Sequence, residues 1–247
     1  MHGARLRSPR IRGDSQMRVL VLCSGTGSVD RAFERRGWEV TSVDWSDRYN
    51  PSVCVEIMQW SYQEAFPQDH FQLVWASPDC TMFSIARTRG GPRDLVKATA
   101  LVQRCLEIAR YFGCQWCLER PATGLLKHQP LMEGLLWTDT CYCKYGFDYK
   151  KATRLWHSPL FGQHFRPQPV CCKASPCAAL AAAGLHPTRA SYTQRHVSHA
   201  QRGGARLSHG YSQEQLYSMP PLLRDEIAQA TEACMEAQTQ HIFPTAE

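Results

Sequence analysis

Cys80 stands in Ser77-Pro78-Asp79-Cys80-Thr81-Met82-Phe83-Ser84, directly after the hydrophobic run Phe71-Gln72-Leu73-Val74-Trp75-Ala76. A strand that ends in a proline-bearing turn and then presents a cysteine sets a soft nucleophile at a sheet's carboxyl edge. Open α/β sheets bind their ligands at that edge. Upstream, a strand at residues 17–22 runs into the tight turn Cys23-Ser24-Gly25-Thr26-Gly27-Ser28, and downstream a strand at 115–118 ends on Glu119. A thiol, a carboxyl and a glycine-lined turn at one edge point to covalent catalysis on a nucleobase.

The glycine turn describes the second ligand. Gly25 and Gly27 let the backbone come close to it, and Asp44 follows where an acid accepts hydrogen bonds from ribose hydroxyls. Asp30 occupies the place of the last glycine in a dinucleotide fingerprint. An acid there suits a pyrophosphate poorly and argues for a cofactor without phosphates, a description S-adenosylmethionine meets. Trp45 is expected to stack on adenine and Glu56-Ile57 to hold the adenine edge, with Cys23 and Pro78 as further contacts of the same crevice.

The elements that must position these groups are legible as alternation. Strands are expected at 17–22, 38–43, 52–57, 71–76 and 115–118, and a helix begins at Val29 and closes at Gly37. Residues 94–112 show helical spacing, with Leu95, Ala98, Leu101, Val102 and Cys105 on one face. Strands alternating with helices predict an α/β fold, a doubly wound, mostly parallel sheet of Rossmann-like type. After Trp156 the periodicity fails, and Pro159, Pro167, Pro169, Pro176 and Pro187 describe an irregular insert. Order returns at Ser212, an N-cap, and a helix is expected over about 222–238. The expected organisation is a flexible basic arm (1–16), a catalytic domain (17–158), a basic insert that reads the target (159–211), and a C-terminal helix packing back (212–247).

Composition bounds the class. The chain has 247 residues, 43% hydrophobic and 20% charged, which suits one medium α/β domain. No apolar run approaches the ~20 residues that cross a bilayer, and the basic N-terminal stretch lacks the apolar core of a secretory signal. With 12 cysteines and no export signal, an intracellular, reduced, monomeric protein is expected. From Tyr149 to Gln213 there is no acid at all, yet nine Lys or Arg and six His occur there. A one-sign segment of that length is a footprint for a polyanion.

Glycine turn, Pro-x-Cys strand end, strand ending in Glu, then the basic motif Lys150-Lys151-Ala152-Thr153-Arg154-Leu155-Trp156: that order resembles the DNA cytosine-5 methyltransferases, the short enzymes of phage and large viruses above all. The similarity covers roughly residues 18–156. It implies a methyl group moved from S-adenosylmethionine to carbon 5 of cytosine in DNA. Cys80 would add to carbon 6, Glu119 would contact ring nitrogen 3 and the amino group, and Arg154 would hold the base. Lys150 and Lys151 would bind the backbone. The target must be flipped out of the duplex, and the segment Ile85-Ala86-Arg87-Thr88-Arg89-Gly90-Gly91 fits a loop that closes over it, with Arg87 and Arg89 on phosphates.

Two departures are visible. Asp79 stands where the family has proline, and an acid beside Cys80 disfavours its thiolate; Arg120 stands where the family has asparagine. Met219-Pro220-Pro221 is a faint echo of the family's terminal motif. Two other readings stay open: an RNA cytosine-5 methyltransferase, since one branch of the family methylates transfer RNA, and an inactive methyltransferase-like scaffold that binds nucleic acid. Cys141, Cys143, Cys172, Cys177 and His186, with Cys171 beside them, supply thiolates and imidazole for a tetrahedral zinc that would stiffen the insert. Cys114-x2-Cys117 reads as core packing.

Overall fold

The computed structural model describes residues 16–85, 87, 91–187 and 213–242. The arm up to residue 15, Arg89, Ser212 and residues 188–211 of the expected insert lie outside the described residues.

Alternation along the first strand, β1 (Arg18–Leu22), sets the architecture: Leu20 and Leu22 enter one apolar cluster, Val19 and Val21 another. A strand buried on both faces needs cover on both. Six further strands complete the sheet: β2 (Glu39–Asp44), β3 (Val53–Cys54), β4 (Leu73–Ala76), β5 (Gln115–Pro121), β6 (Trp137–Cys141) and β7 (Ala152–His157). Their order is β3-β2-β1-β4-β5-β7-β6. The first five strands run parallel; β7 pairs antiparallel with β5, and β6 antiparallel with β7.

The helices are α1 (Asp30–Glu34), α2 (Tyr62–Ala65), α3 (Leu95–Phe112), α4 (Pro159–His164), α5 (Ala178–Ala183), α6 (Gln213–Tyr217) and α7 (Pro221–Ile242). Helix α3 covers one face of the sheet. Asp94 caps it by accepting from the Lys97 amide at 2.9 Å, and Gly113, at φ 63°, closes it. Its stripe Val102, Cys105, Leu106, Ile108, Ala109 and Phe112 packs with Leu20, Leu22 and Val74; full burial of such a side chain contributes ~1.5–3 kcal/mol. Phe33 of α1, Phe161 of α4 and Leu223, Ile227 and Ala230 of α7 cover the other face. The doubly wound sheet expected from the sequence is therefore present.

Two differences from the sequence reading have physical reasons. Strand β6 was invisible because it is an edge strand of polar sequence, Trp-Thr-Asp-Thr-Cys, with no apolar run to report it. The segment after Trp156 is not wholly irregular: Pro159 starts α4, and the short α5 follows Cys177. In α4, Gly162 lies so close to β7 that a Cβ there would meet the His157 ring at 2.3 Å.

Candidate active site

Parallel pairing of β2, β1, β4 and β5 lines their carboxyl ends along one edge, and the candidate groups sit there. The Ser77 amide donates to the Leu22 carbonyl at 3.1 Å, so the cysteine turn and the glycine turn leave adjacent strands side by side. Cys23, Gly25 and Gly27 take left-handed backbone, at φ 55°, 50° and 63°. The Asp44 carboxylate closes the turn, accepting from the Gly25 amide at 2.9 Å and from the Ser46 amide at 3.0 Å. Trp45 stands beside it, 75% exposed.

Asp30 is buried beneath the turn, with one carboxyl oxygen lacking any partner; burial pushes its pKa up to about 6. Cys23 is also raised, by its hydrogen bond with Cys105 and then by burial. Glu56 is exposed, whereas Ile57 belongs to the core beside α3, and its carbonyl accepts from Arg104. The start of α7 docks on the same turn. The Met219 amide donates to Ser28 Oγ at 3.4 Å, and Arg224 donates to the Ser28 carbonyl.

At the reacting end Cys80 is half-buried and lines a small cleft with Phe83, Ser84, Arg120, Pro121, Gly124 and Leu126. Burial pushes its thiol up. Of the neighbouring charges Arg120 is the strongest and pulls it down; Glu119 and Asp79 push it up, and Lys151 pulls it down. Asp79 spends one oxygen on the Thr81 amide and hydroxyl, at 3.2 and 2.7 Å.

Arg120 was read from sequence only as a departure, and its placement explains it. The side chain is 2% exposed and donates to the carbonyls of Pro78 and Asp79, pinning the turn that carries Cys80. Its guanidinium lies 5.6 Å from the Phe83 ring centre, and among the described residues no carboxylate forms a salt bridge with it. A buried cation without an acidic partner is costly unless something nearby becomes negative. The Cys80 thiol is the group beside it that can do so.

Strand register separates the basic residues. Glu119 faces Leu155 across β5 and β7, and Arg120 faces Arg154, so Glu119 shares its side of the sheet with Lys151 and Thr153 but not with Arg154. Glu119, 9% exposed, accepts from the Tyr142 hydroxyl at 3.3 Å, and the Lys151 ammonium lies 4.4 Å from the Tyr142 ring centre. Arg154 is instead clamped by Asp139 of β6, at 2.7 and 2.8 Å, and stacks 3.6 Å over Trp137. The structure thus gathers Glu119, Arg120 and Lys151 as charges that act on Cys80, and leaves Arg154 on the face of the sheet opposite Glu119, held by Asp139. Lys150 is exposed, and Arg87 donates to the Gly91 carbonyl at 3.0 Å. Arg93, missed from sequence, braces the same loop through the carbonyls of Met82 and Arg87.

No family model matches the chain. A curated protein of Frog virus 3 (isolate Goorha), "Probable DNA (cytosine-5)-methyltransferase", is 32% identical over 226 residues, covering 85% of this chain and 98% of that one. This chain belongs to the DNA cytosine-5 methyltransferase family. Solved structures offer only distant likeness. A Spodoptera frugiperda DNMT2 mutant aligns at TM-score 0.39 with 12% identity, over 57% of this chain and 49% of that one. An Entamoeba histolytica methyltransferase, EhMeth, aligns at TM-score 0.42 with 13% identity, over 60% and 55%. Each match spans about half of the solved chain, and neither bears on the site.

In this methyltransferase the turn has no side chain at Gly25 and Gly27, and it is flanked by the acids Asp44 and Asp30 and the exposed Trp45. Its acids suit a nucleoside with cationic rather than phosphate groups. The cysteines beyond β6 regroup relative to the sequence expectation. Cys143, Cys171, Cys177 and His186 bring their ligand atoms within 4.8 Å of one another. Cys172 is exposed and is replaced in the group by its neighbour Cys171; Cys141 lies behind Cys143, sulfur to sulfur 3.3 Å, outside the group. Cys117 is buried in one apolar cluster and Cys114 packs against the other, on the opposite face of the sheet. Among the described residues no helix is long and apolar enough to cross a membrane.

Proposed function

We propose that this chain methylates carbon 5 of cytosine in DNA, with S-adenosylmethionine as donor and Cys80 as the covalent nucleophile. The observation that carries the reading is the Arg120 guanidinium. It is buried, unmatched by any carboxylate among the described residues, and clasped to the turn that presents Cys80. It lends the thiolate a counter-charge and so answers the acid at Asp79.

Carbon 5 of cytosine is a poor nucleophile while the ring is aromatic. The Cys80 thiolate adds to carbon 6, the sulfur–carbon bond forms, and the displaced ring electrons make carbon 5 enamine-like. Glu119, steadied by Tyr142, hydrogen-bonds ring nitrogen 3 and the amino group and offsets the negative charge. Lys151 reinforces the electropositive side of the pocket. When bound, S-adenosylmethionine would supply an electrophilic methyl group on a sulfonium, which carbon 5 takes as the donor becomes a neutral thioether. Asp44 would hold the ribose hydroxyls of that cofactor and Trp45 would cover its adenine. The carbon 5 proton then passes to solvent, the sulfur–carbon bond breaks, and Cys80 departs as thiolate while the ring regains aromaticity. The base reaches this pocket only if flipped out of the duplex, with Arg87, Arg89 and Lys150 on the phosphates.

The test is covalent trapping. With donor and duplex DNA containing 5-fluorocytosine, the elimination step is blocked, so wild type should form an adduct stable to denaturation and Cys80→Ala none. Full methylation by Cys80→Ala would refute the mechanism. DNA binding without adduct or methyl transfer would replace it with the scaffold reading, and transfer of labelled methyl to transfer RNA alone would move the substrate to RNA.

A further inference from the structure

We infer that Cys143, Cys171, Cys177 and His186 bind one structural zinc ion that fastens the basic insert to the catalytic sheet. Tetrahedral zinc with bonds of ~2.3 Å to sulfur and ~2.0–2.1 Å to nitrogen requires ligand atoms ~3.5–3.8 Å apart. Here His186 Nε2 lies 3.6 Å from Cys171 Sγ and 3.4 Å from Cys177 Sγ, and all four ligand atoms fall within 4.8 Å of one another. Three thiolates and one imidazole are a donor set for zinc, and four protein ligands close the coordination sphere, so the ion is structural rather than catalytic.

Two further observations fit an ion. First, the Cys177 amide donates to Cys171 Sγ at 3.2 Å and the Leu180 amide to Cys177 Sγ at 3.5 Å, the outer hydrogen bonds that orient metal thiolates. Second, among the described residues this lobe has little apolar core to hold it, with only Val170, Ala179 and Leu180 partly buried against its cysteines. Its buried cluster consists of Cys141, Cys143, Cys171 and Cys177, and the six-residue α5, spelled Ala-Ala-Leu-Ala-Ala-Ala, buries no residue at all. A helix that short does not stand alone in water. Cys177 at its N-cap and His186 just past Gly184, its C-cap, staple both its ends.

The anchor is well placed. Cys143 lies in the 3-10 turn Tyr142–Tyr145 that leaves β6, and it directly follows Tyr142, which donates to Glu119. The ion therefore ties the insert to the turn that steadies the catalytic carboxyl. This last consequence rests on the proposed function; the metal site itself does not.

Full-length protein, purified without chelator from zinc-supplemented cells, should contain about one zinc per chain by plasma mass spectrometry. Cys171→Ser with Cys177→Ser should lose it, while Cys172→Ser keeps it. Replacement of zinc by cobalt in the wild-type chain should give intense thiolate-to-cobalt absorption and tetrahedral visible bands, a readout that holds even if the double variant does not fold. His186→Cys should retain metal with the stronger absorption of four thiolates. Folded wild type that holds well under one zinc per chain and shows no cobalt–thiolate bands would overturn the inference, as would full zinc content in the double variant. Neither measurement depends on methyl transfer.

Discussion

Replacing Asp30 by Asn should stabilise the free protein at neutral pH and leave it little changed in acid. The carboxyl is 9% exposed, and one of its oxygens has no partner. Burial raises it from the ordinary 3.8 to about 6, Glu34 adds to the rise, and the backbone amide, Arg31 and Ser42 oppose it. For an acid whose folded pKa exceeds its unfolded one, folding favours the protonated form. The penalty is absent below the unfolded value, grows as pH rises, and is complete above the folded value. A shift of about two units corresponds to ~3 kcal/mol at neutral pH and ~1 kcal/mol near pH 4.5. Asn keeps the shape and removes the charge, so the gap between variant and wild type should widen by ~2 kcal/mol across that range. Urea denaturation at several pH values measures it. A gap that stays constant with pH, or a wild type more stable than the variant at neutral pH, would refute the reasoning. Calorimetry with S-adenosylmethionine reads the matching functional loss: the variant should bind the cationic cofactor more weakly, since the carboxylate at the cradle is gone.

Arg120→Met should raise the Cys80 thiol further and slow its alkylation by iodoacetamide at neutral pH, about tenfold for each unit of rise. An unchanged rate-against-pH profile would remove Arg120 from the chemistry. Lys151→Met should move the pH profile of methyl transfer to the alkaline side, because a cation that lowers the thiol is lost. The exposed Lys150→Met should instead weaken DNA binding and reduce its salt dependence by about one unit of slope. Gly162→Ala should cost ~1–3 kcal/mol in a urea melt by driving a methyl into the His157 ring; a neutral result would mean that α4 shifts freely on β7.

Much of the framework was legible because it is written locally. The continuous apolar runs of β1 and β4 report burial on both faces, helical spacing marks α3, and paired glycines before a helix mark a cradle. The thiol of Cys80 could be named because it follows such a strand, and the carboxyl of Glu119 because it lies toward the end of one. None of these assignments needs knowledge of a distant residue.

The relations between strands were not written that way. Nothing in the residues around Arg154 says that Asp139 will hold it, or that it faces Arg120 and not Glu119; that follows from antiparallel register, in which a one-residue change reverses the side of every chain. Arg120 reads as a loss until the carbonyls of Pro78 and Asp79 are seen around it. Tyr142 carries no signal until its turn folds against Glu119. Cys171 and Cys172 are equivalent as letters, and only the path of the chain turns one sulfur toward His186 and the other to solvent. Periodicity records how each segment meets water, whereas contact between segments depends on register and on chain closure over tens of residues. The sequence therefore named the candidate reacting groups and their sheet edge, and tertiary structure chose which charges stand beside them.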